Sequence, residues 1–224
     1  ITGGLAQVAG KVAVTTTVSA SSGCLTATCL ARVFEKTFDI GVALNGILGA
    51  LVGVTAGCSI VNPWGAFIIG IVAACIYYGA HLLLLKLKVD DPLDAFPIHG
   101  CCGAWACVAT GIFCTDEGVQ YSGYPNVNDA CSSGEQFGVQ IISILCIALW
   151  AAVMSGGSFF LIKQTMGLRV EEAVEAEGLD ISEHGGNVYG EVFEDHQAPS
   201  NKVVPFVVGE NGGSAAANNM GFRD

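Results

Sequence analysis

Three carboxylates and one imidazole lie close together at the start of an apolar run, and their types and spacing could do chemistry. Asp90, Asp91 and Asp94 precede His99. Pro97 removes one helical hydrogen bond shortly before the imidazole, so the backbone should kink just below it. An ionisable side chain at membrane depth is costly to bury and is a functional residue by default. If this run spans a membrane, His99 is the first candidate for a functional site.

The carboxylates can be explained by helix capping. Asp91 before Pro92 is typical of a helix start, because the side chain can accept from free N–H groups and proline lacks the N–H that would be unsatisfied there. Asp94 would then occupy the third helical position, where the helix dipole favours a negative charge. This interpretation needs no further role for either residue.

Composition supports the membrane premise. Of the 224 residues, 52% are apolar and 13% are charged, whereas a soluble domain carries about 25% charged residues. The mean hydropathy is +0.56. Most of the net charge of −11 belongs to residues 167–224, which hold three basic and eleven acidic residues. No stretch forms the basic patch that a nucleic-acid partner requires, so nucleic acid is excluded as a partner.

We predict an all-α integral membrane protein with five transmembrane helices and no cofactor. The transmembrane domain covers residues 1–166, an acidic tail covers 167–190, and 191–224 is expected to be disordered because of its composition. Apolar runs long enough to cross the lipid bilayer are approximately 5–30, 40–58, 64–85, 91–113 and 137–162. No signal peptide precedes the first run, and the chain begins with Ile1, so we expect its upstream part to be missing.

Arginines and lysines set the expected orientation. They concentrate near 32–36, 86–88 and 163–169, whereas the loops 58–63 and 114–136 contain none. Cytoplasmic loops carry the excess of positive charge in membrane proteins. Five spans therefore place the first residues outside and the C-terminal tail in the cytoplasm.

The ten cysteines are mostly single residues in apolar runs, where a thiol behaves as a small apolar side chain. Cys114 and Cys131 differ, because they bracket the loop predicted to lie outside, and we expect them to form a disulfide. Cys101, Cys102 and Cys107 could suggest a metal site, but they lack metal-motif spacing, and no metal is expected.

Two further ionisable side chains lie in the apolar runs. Lys11 is expected to snorkel to the membrane interface, with a charge at a vestibule or subunit interface as the alternative. His81 is predicted to be a packed or interface residue, because the sequence offers it neither an acidic neighbour nor a partner at metal spacing.

Three separated motifs resemble the ammonium transporter (Amt/Mep/Rh) family. The stretch 90–105, followed by 109–113, resembles the tenth transmembrane helix of that family. The glycine-rich stretch 49–58 and the tail segments 167–170 and 177–185 match further family motifs in the right order. The form of the tail and the Asp-Asp-Pro start favour the Amt branch over the Rhesus branch.

The resemblance runs from about residue 5 to residue 190 and implies the C-terminal half of an eleven-helix protomer, helices seven to eleven. Such protomers consist of two inverted repeats and assemble as homotrimers with one pore in each subunit. His99 matches the second of two pore histidines that face each other in a narrow hydrophobic channel. The first histidine, the phenylalanine gate and the recruitment site lie in the other half, so this piece is not expected to conduct alone. Asp91 and Asp94 match acidic positions below the inner pore mouth, which is the alternative to helix capping.

The function that the resemblance implies is transport of ammonium or ammonia across the plasma membrane, with histidine-assisted deprotonation, and not enzymatic catalysis. Ammonium is costly to desolvate in an apolar pore, whereas ammonia crosses readily. A buried imidazole pair can relay a proton near neutral pH. Two alternatives are a non-conducting ammonium sensor of the same family and a membrane redox or metal protein that uses Cys101, Cys102 and His99.

The tail resembles the family's regulatory segment, which packs under the neighbouring subunit and couples the pores. Ser182 stands where plant members carry a phosphorylatable threonine, so a kinase or a PII-type regulator is a candidate partner. Arg169 is expected to pair with the adjoining cytoplasmic loops. Gly178 should end a short amphipathic helix, and Asp180 should start a second turn before Gly185.

Overall fold

The structure, a computed structural model, describes residues 3–124, 131, 134–177 and 179. The chain divides into two units, Ile1–Met166 and Gly167–Asp224. The helical elements of the described residues are α1 Gly3–Phe34, α2 Ile40–Thr55, α3 Pro63–Leu87, a π-helical turn Phe96–Cys101, α4 Cys102–Phe113, α5 Asp116–Tyr121, α6 Glu135–Thr165 and α7 Glu172–Glu177. All but α7 belong to the first unit.

Three helical segments in the described residues are long and apolar enough to cross a membrane. They are α3, the π-helical turn continued by α4, and α6. The other two predicted spans do not combine the length and the apolar character needed to cross a membrane, for different reasons. Helix α2 has only 16 residues, and α1 has 32 residues but carries many threonine and serine hydroxyls that make it less apolar.

The hydroxyl groups of α1 connect it to its neighbours. Ser19 Oγ donates to the carbonyl oxygen of Ala50 in α2 at 2.9 Å. Ser22 Oγ donates to the carbonyl oxygen of Phe67 in α3 at 3.0 Å. Because these polar groups are satisfied inside the bundle, α1 can pack against α2 and α3 although it is less apolar than they are.

Helices α1 and α2 cross where both lack side chains. A Cβ atom added to Gly23 would collide with Cβ of Ala50, and one added to Gly46 would collide with Cβ of Ala27. Small residues allow helix backbones to approach closely in membranes, where no hydrophobic force drives helices together. The two glycines therefore set the spacing of this helix pair.

The fourth predicted span begins later than expected. The sequence predicts a helix from Asp91, but regular hydrogen bonding begins at Phe96. The reason is Asp94, whose φ of 55° lies in the left-handed region, which a right-handed helix cannot contain. Asp91 still caps the helix, because its carboxylate accepts the N–H groups of Ala95 at 2.9 Å and Phe96 at 2.8 Å. Asp94 does not occupy a helical capping position.

The polar loop after α4 is attached to the loop between α2 and α3. Cys114 and Cys131 form a disulfide, as the sequence predicts. Asp116 Oδ1 accepts the N–H of Cys131 at 2.9 Å, and Val61 pairs with Cys114 in an antiparallel bridge. The antiparallel bridge joins the two loops at one end of the bundle, and the disulfide and the Asp116 contact close the loop after α4.

Candidate functional site

His99 lies in a π-helical turn rather than in a regular α-helix. The turn spans Phe96–Cys101, and the N–H of Cys102 donates to the carbonyl of Pro97, five residues earlier. Pro97 lies in the first turn of this helix, where a backbone N–H has no intrahelical partner, so its missing N–H removes no hydrogen bond. The sequence predicts a kink at this proline, and the structure has a widened turn over these residues. Turns of this kind are frequent at functional sites.

The His99 side chain is exposed and lines an apolar groove of about 540 Å³ between α4 and α6. Gly100, Gly103 and Ala104, all small residues, line the groove together with His99. The groove is completed by Phe96, Cys107, Ile144, Ile147, Ala148 and Ala151. A small polar molecule in this groove would meet one imidazole and an otherwise mostly hydrocarbon wall.

Asp94 is buried, with 9% of its surface exposed, and donors from α2 and α3 surround its carboxylate. Oδ2 accepts from Asn45 Nδ2 at 3.0 Å and from the Tyr77 hydroxyl at 3.1 Å. Oδ1 lies 2.7 Å from His81 Nδ1. Hydrogen bonds of this kind make a buried carboxylate tolerable. We call these four residues the Asp94 cluster.

The Asp94 cluster corrects the interpretation of His81. The sequence offers His81 no acidic neighbour, but the chain turns back after α3 and brings Asp94 into contact. His81 is half-buried, as expected of a packed residue, and it has an acidic partner that the sequence does not indicate. Asn45 and Tyr77 are not identified as candidates from the sequence. The sequence feature that could have identified them is a polar group inside an apolar run, because a polar group needs a hydrogen-bond partner wherever the run is buried.

A second polar contact lies beside the Asp94 cluster. The Tyr78 hydroxyl donates to Glu35 Oε1 at 2.8 Å. The Tyr78 ring stacks on the His81 ring with a centroid distance of 6.5 Å. Tyr78 therefore contacts His81 through its ring, while its hydroxyl bonds to a residue outside the Asp94 cluster.

In the second unit, Arg169 donates to Glu175 Oε1 within the same segment. The sequence predicts a partner in the adjoining cytoplasmic loops, and that expectation stays a prediction. Helix α7 lies within 170–179, the stretch predicted to be a short amphipathic helix. The other predicted tail residues lie outside the described part of the chain: Gly178, Asp180, Ser182 and Gly185.

Three cysteines lie close to His99 in the sequence and differ in burial. Cys102 is buried, and its Sγ lies 3.4 Å from the carbonyl oxygen of Ala73. Cys101 and Cys107 are half-buried. Among the residues that the structure describes, no group of three or more His, Cys, Asp or Glu side chains could hold a metal ion. This arrangement lends no support to the redox or metal interpretation.

The sequence model of the Ammonium Transporter Family matches residues 1–189. The chain belongs to this family. Ammonium transporter 1 member 3 of Solanum lycopersicum is 36% identical over 205 residues, which cover 84% of this chain and 43% of that relative. Ammonium transporter 1 member 1 of Arabidopsis thaliana is 36% identical over 185 residues, which cover 80% of this chain and 37% of that relative. The chain therefore spans about two fifths of the length of the curated relatives it matches.

Solved structures agree with this assignment. Mep2 of Saccharomyces cerevisiae superposes with a TM-score of 0.68 at 25% identity, over 74% of this chain and 38% of that one. A structure named Sensor Amt Protein gives a TM-score of 0.67 at 26% identity, over 78% of this chain and 42% of that one. The chain is an all-α integral membrane protein of a transporter family. The family predicted from the sequence is confirmed.

Proposed function

We propose that this chain is the C-terminal half of an ammonium transporter and that His99 assists the passage of ammonium or ammonia through a hydrophobic pore. The observation that carries the proposal is the placement of His99, an exposed imidazole in an otherwise mostly apolar groove. Family membership supports the choice of cargo, because the relatives are named ammonium transporters.

The apolar groove discriminates between the two forms of the cargo. The ammonium cation must give up its hydration to enter, which is costly without compensating partners, whereas neutral ammonia enters readily. An imidazole can accept a proton at one ring nitrogen and donate one from the other near neutral pH. In the proposed pore, a second histidine from the half of the transporter that precedes this chain faces His99 and shares that proton.

We propose a homotrimer in the plasma membrane with its C-terminal tail in the cytoplasm. The loop charges support the orientation, and the exposed apolar surface of α6, none of whose described residues is buried, supports contact with lipid or other transporter segments. Asp91 and Asp94 lie at the end of the π-helical turn that this orientation places towards the cytoplasm. A kinase or a PII-type regulator acting on the tail remains part of the proposal.

A non-conducting ammonium sensor is the second candidate. The similarity to the structure named Sensor Amt Protein favours it. A sensor would bind ammonium without moving it, so an uptake measurement separates the two functions. Robust uptake by the full-length protein would exclude the sensor.

Replacement of His99 tests the proposed transport role. The full-length protein is expressed in cells that lack their own ammonium uptake, and methylammonium uptake is measured against pH and against competing ions. His99→Ala removes the proton relay and widens the apolar groove, so the pH dependence or the ion selectivity should change at equal surface expression. Ile147→Val, which alters the same groove without an ionisable group, is the control. A wild-type pH profile and selectivity in His99→Ala would contradict the proposal.

A further inference from the structure

We propose that His81 is a positioning residue for His99, acting through Asp94 on the π-helical turn that carries the imidazole. His81 does not line the groove beside His99, so it would act without touching the cargo. The test of this proposal by uptake rests on the proposed function, whereas its test by hydrogen exchange does not.

The first step links Asp94 to His99 through the backbone. The N–H of Ile98 donates to the carbonyl oxygen of Asp94 at 3.0 Å, and Ile98 directly precedes His99. The N–H of Asp94 donates to the carbonyl oxygen of Asp91 at 3.2 Å. The position of Asp94 therefore determines where the first turn of the helix starts and where the imidazole lies.

The second step is that Asp94 needs its side-chain partners to keep this position. Its φ of 55° is unfavourable for a residue with a Cβ and persists only where the surroundings enforce it. The carboxylate is the group that the surroundings hold, through contacts with α2 and α3. Weaker contacts would allow Asp94 to return to a more favourable conformation and to move the turn.

The third step singles out His81 among the partners. Asn45 and Tyr77 both bond to Oδ2 of Asp94, whereas His81 contacts Oδ1 at 2.7 Å. The rings of Tyr77 and Tyr78, at centroid distances of 6.2 and 6.5 Å, orient the imidazole of His81. Within the described residues, His81 is thus the side chain that holds the second carboxylate oxygen.

Loss of this contact should affect passage of the cargo more than its capture. A misplaced imidazole no longer meets the cargo in the geometry that proton transfer requires, and small displacements reduce rates strongly. We therefore expect His81→Ala in the full-length protein to lower the maximal uptake rate several-fold with little change in KM. His81→Asn should restore most of the rate, because the amide nitrogen of Asn can donate from nearly the same place as Nδ1.

Tyr78→Phe is the matched control. It removes a hydrogen bond from the neighbouring position of α3, but that bond goes to Glu35 and not to Asp94, and the ring that stacks on His81 is kept. Uptake by Tyr78→Phe should be close to that of the wild type. Equal losses of maximal rate in His81→Ala and His81→Asn would overturn the proposal.

Backbone hydrogen exchange gives a readout that does not depend on transport. In the purified full-length protein, His81→Ala should accelerate exchange in peptides that cover 96–102 and leave α6 unchanged, and His81→Asn should reverse the effect. If the exchange changes as expected but the wild-type protein shows no uptake, the positioning role stands and the proposed transport function fails. Unchanged exchange over 96–102 in His81→Ala would overturn the positioning role.

Discussion

Two aspartates three residues apart have different roles because of one backbone angle. Asp91 is partly exposed and caps the helix that begins at Phe96. Asp94 is buried and accepts bonds from the neighbouring helices. The left-handed conformation at Asp94 turns its side chain away from the helix end and towards the bundle.

Asp94→Asn should destabilise the protein although it conserves the shape of the side chain. The amide keeps one acceptor oxygen but loses the negative charge, so the charge-assisted hydrogen bonds of the Asp94 cluster become weaker neutral ones. The expected loss is roughly 1–3 kcal/mol of unfolding free energy, measured as a lower Tm of the purified full-length protein in detergent. Asp90→Asn, the same substitution at an exposed neighbouring position, should leave the Tm unchanged. Equal melting temperatures for the two variants would contradict this account.

The candidate residues could be predicted from the sequence more readily than their partners. His99 is recognisable because an imidazole follows a helix-start signal and lies in an apolar run. The contact between His81 and Asp94 depends on a left-handed residue in the turn after α3, and no local pattern indicates that conformation. Helical content follows from composition and length, whereas partner choice depends on how the helices pack.

At the scale of the helices, the lengths of α1 and α2 differ from the thickness of a membrane, and packing between the helices accommodates the difference. At about 1.5 Å per residue, the 16 residues of α2 extend roughly 24 Å, less than the roughly 30 Å of a bilayer's hydrocarbon core. The 32 residues of α1 exceed it. Helix α2 nevertheless packs against both α1 and α3, where its glycines allow close contact. The sequence predicts all five segments as helices, but their lengths depend on these contacts.

Gly46→Ala tests whether close contact holds α1 and α2 together. The new Cβ would meet Cβ of Ala27, so the variant should lose about 1–3 kcal/mol of stability through overpacking. Gly156→Ala in α6, where no atom lies within 4 Å of the added Cβ, should be neutral or up to about 1 kcal/mol more stable because alanine favours helix. The comparison is made by thermal unfolding. Parallel changes in both variants would show that the crossing does not depend on Gly46.

At the scale of the whole molecule, the two ends of the helix bundle differ in charge and in chemistry. The two loops at the disulfide-linked end, residues 58–63 and 114–136, contain no arginine or lysine. The turns at the other end carry Arg32, Lys36, Lys86 and Lys88. Disulfides persist in oxidising compartments and positive loops stay in the cytoplasm, so the two signals predict the same orientation.

Thiol labelling tests this orientation. In intact cells that express the full-length protein, a membrane-impermeant reagent should reach Cys114 and Cys131 after reduction. A cysteine introduced by Ser182→Cys should be labelled only after permeabilisation. The reverse pattern would show that the orientation is inverted.

Truncation tests whether the tail couples the pores. Deleting 167–190 should lower uptake, because this segment contains the family motifs and α7, which is too short to be stable without partners. Deleting 200–224 should leave uptake intact. Uptake is compared at equal surface expression, and similar results for the two truncations would mean that the tail does not regulate transport here.

The π-helical turn also shifts the phase of the helix that carries His99. Pro97 and Cys102 are both buried although they are five residues apart, and His99 between them is exposed. In an α-helix, the residue one turn after Pro97 on the same face would be Cys101. Removing one residue other than His99 from 97–101 would restore α-helical phase and rotate the preceding segment by about 100° relative to α4. The direction of the imidazole therefore depends on the number of residues in this turn as well as on their identities. A single deletion could abolish the function of the site although the chain keeps every functional side chain.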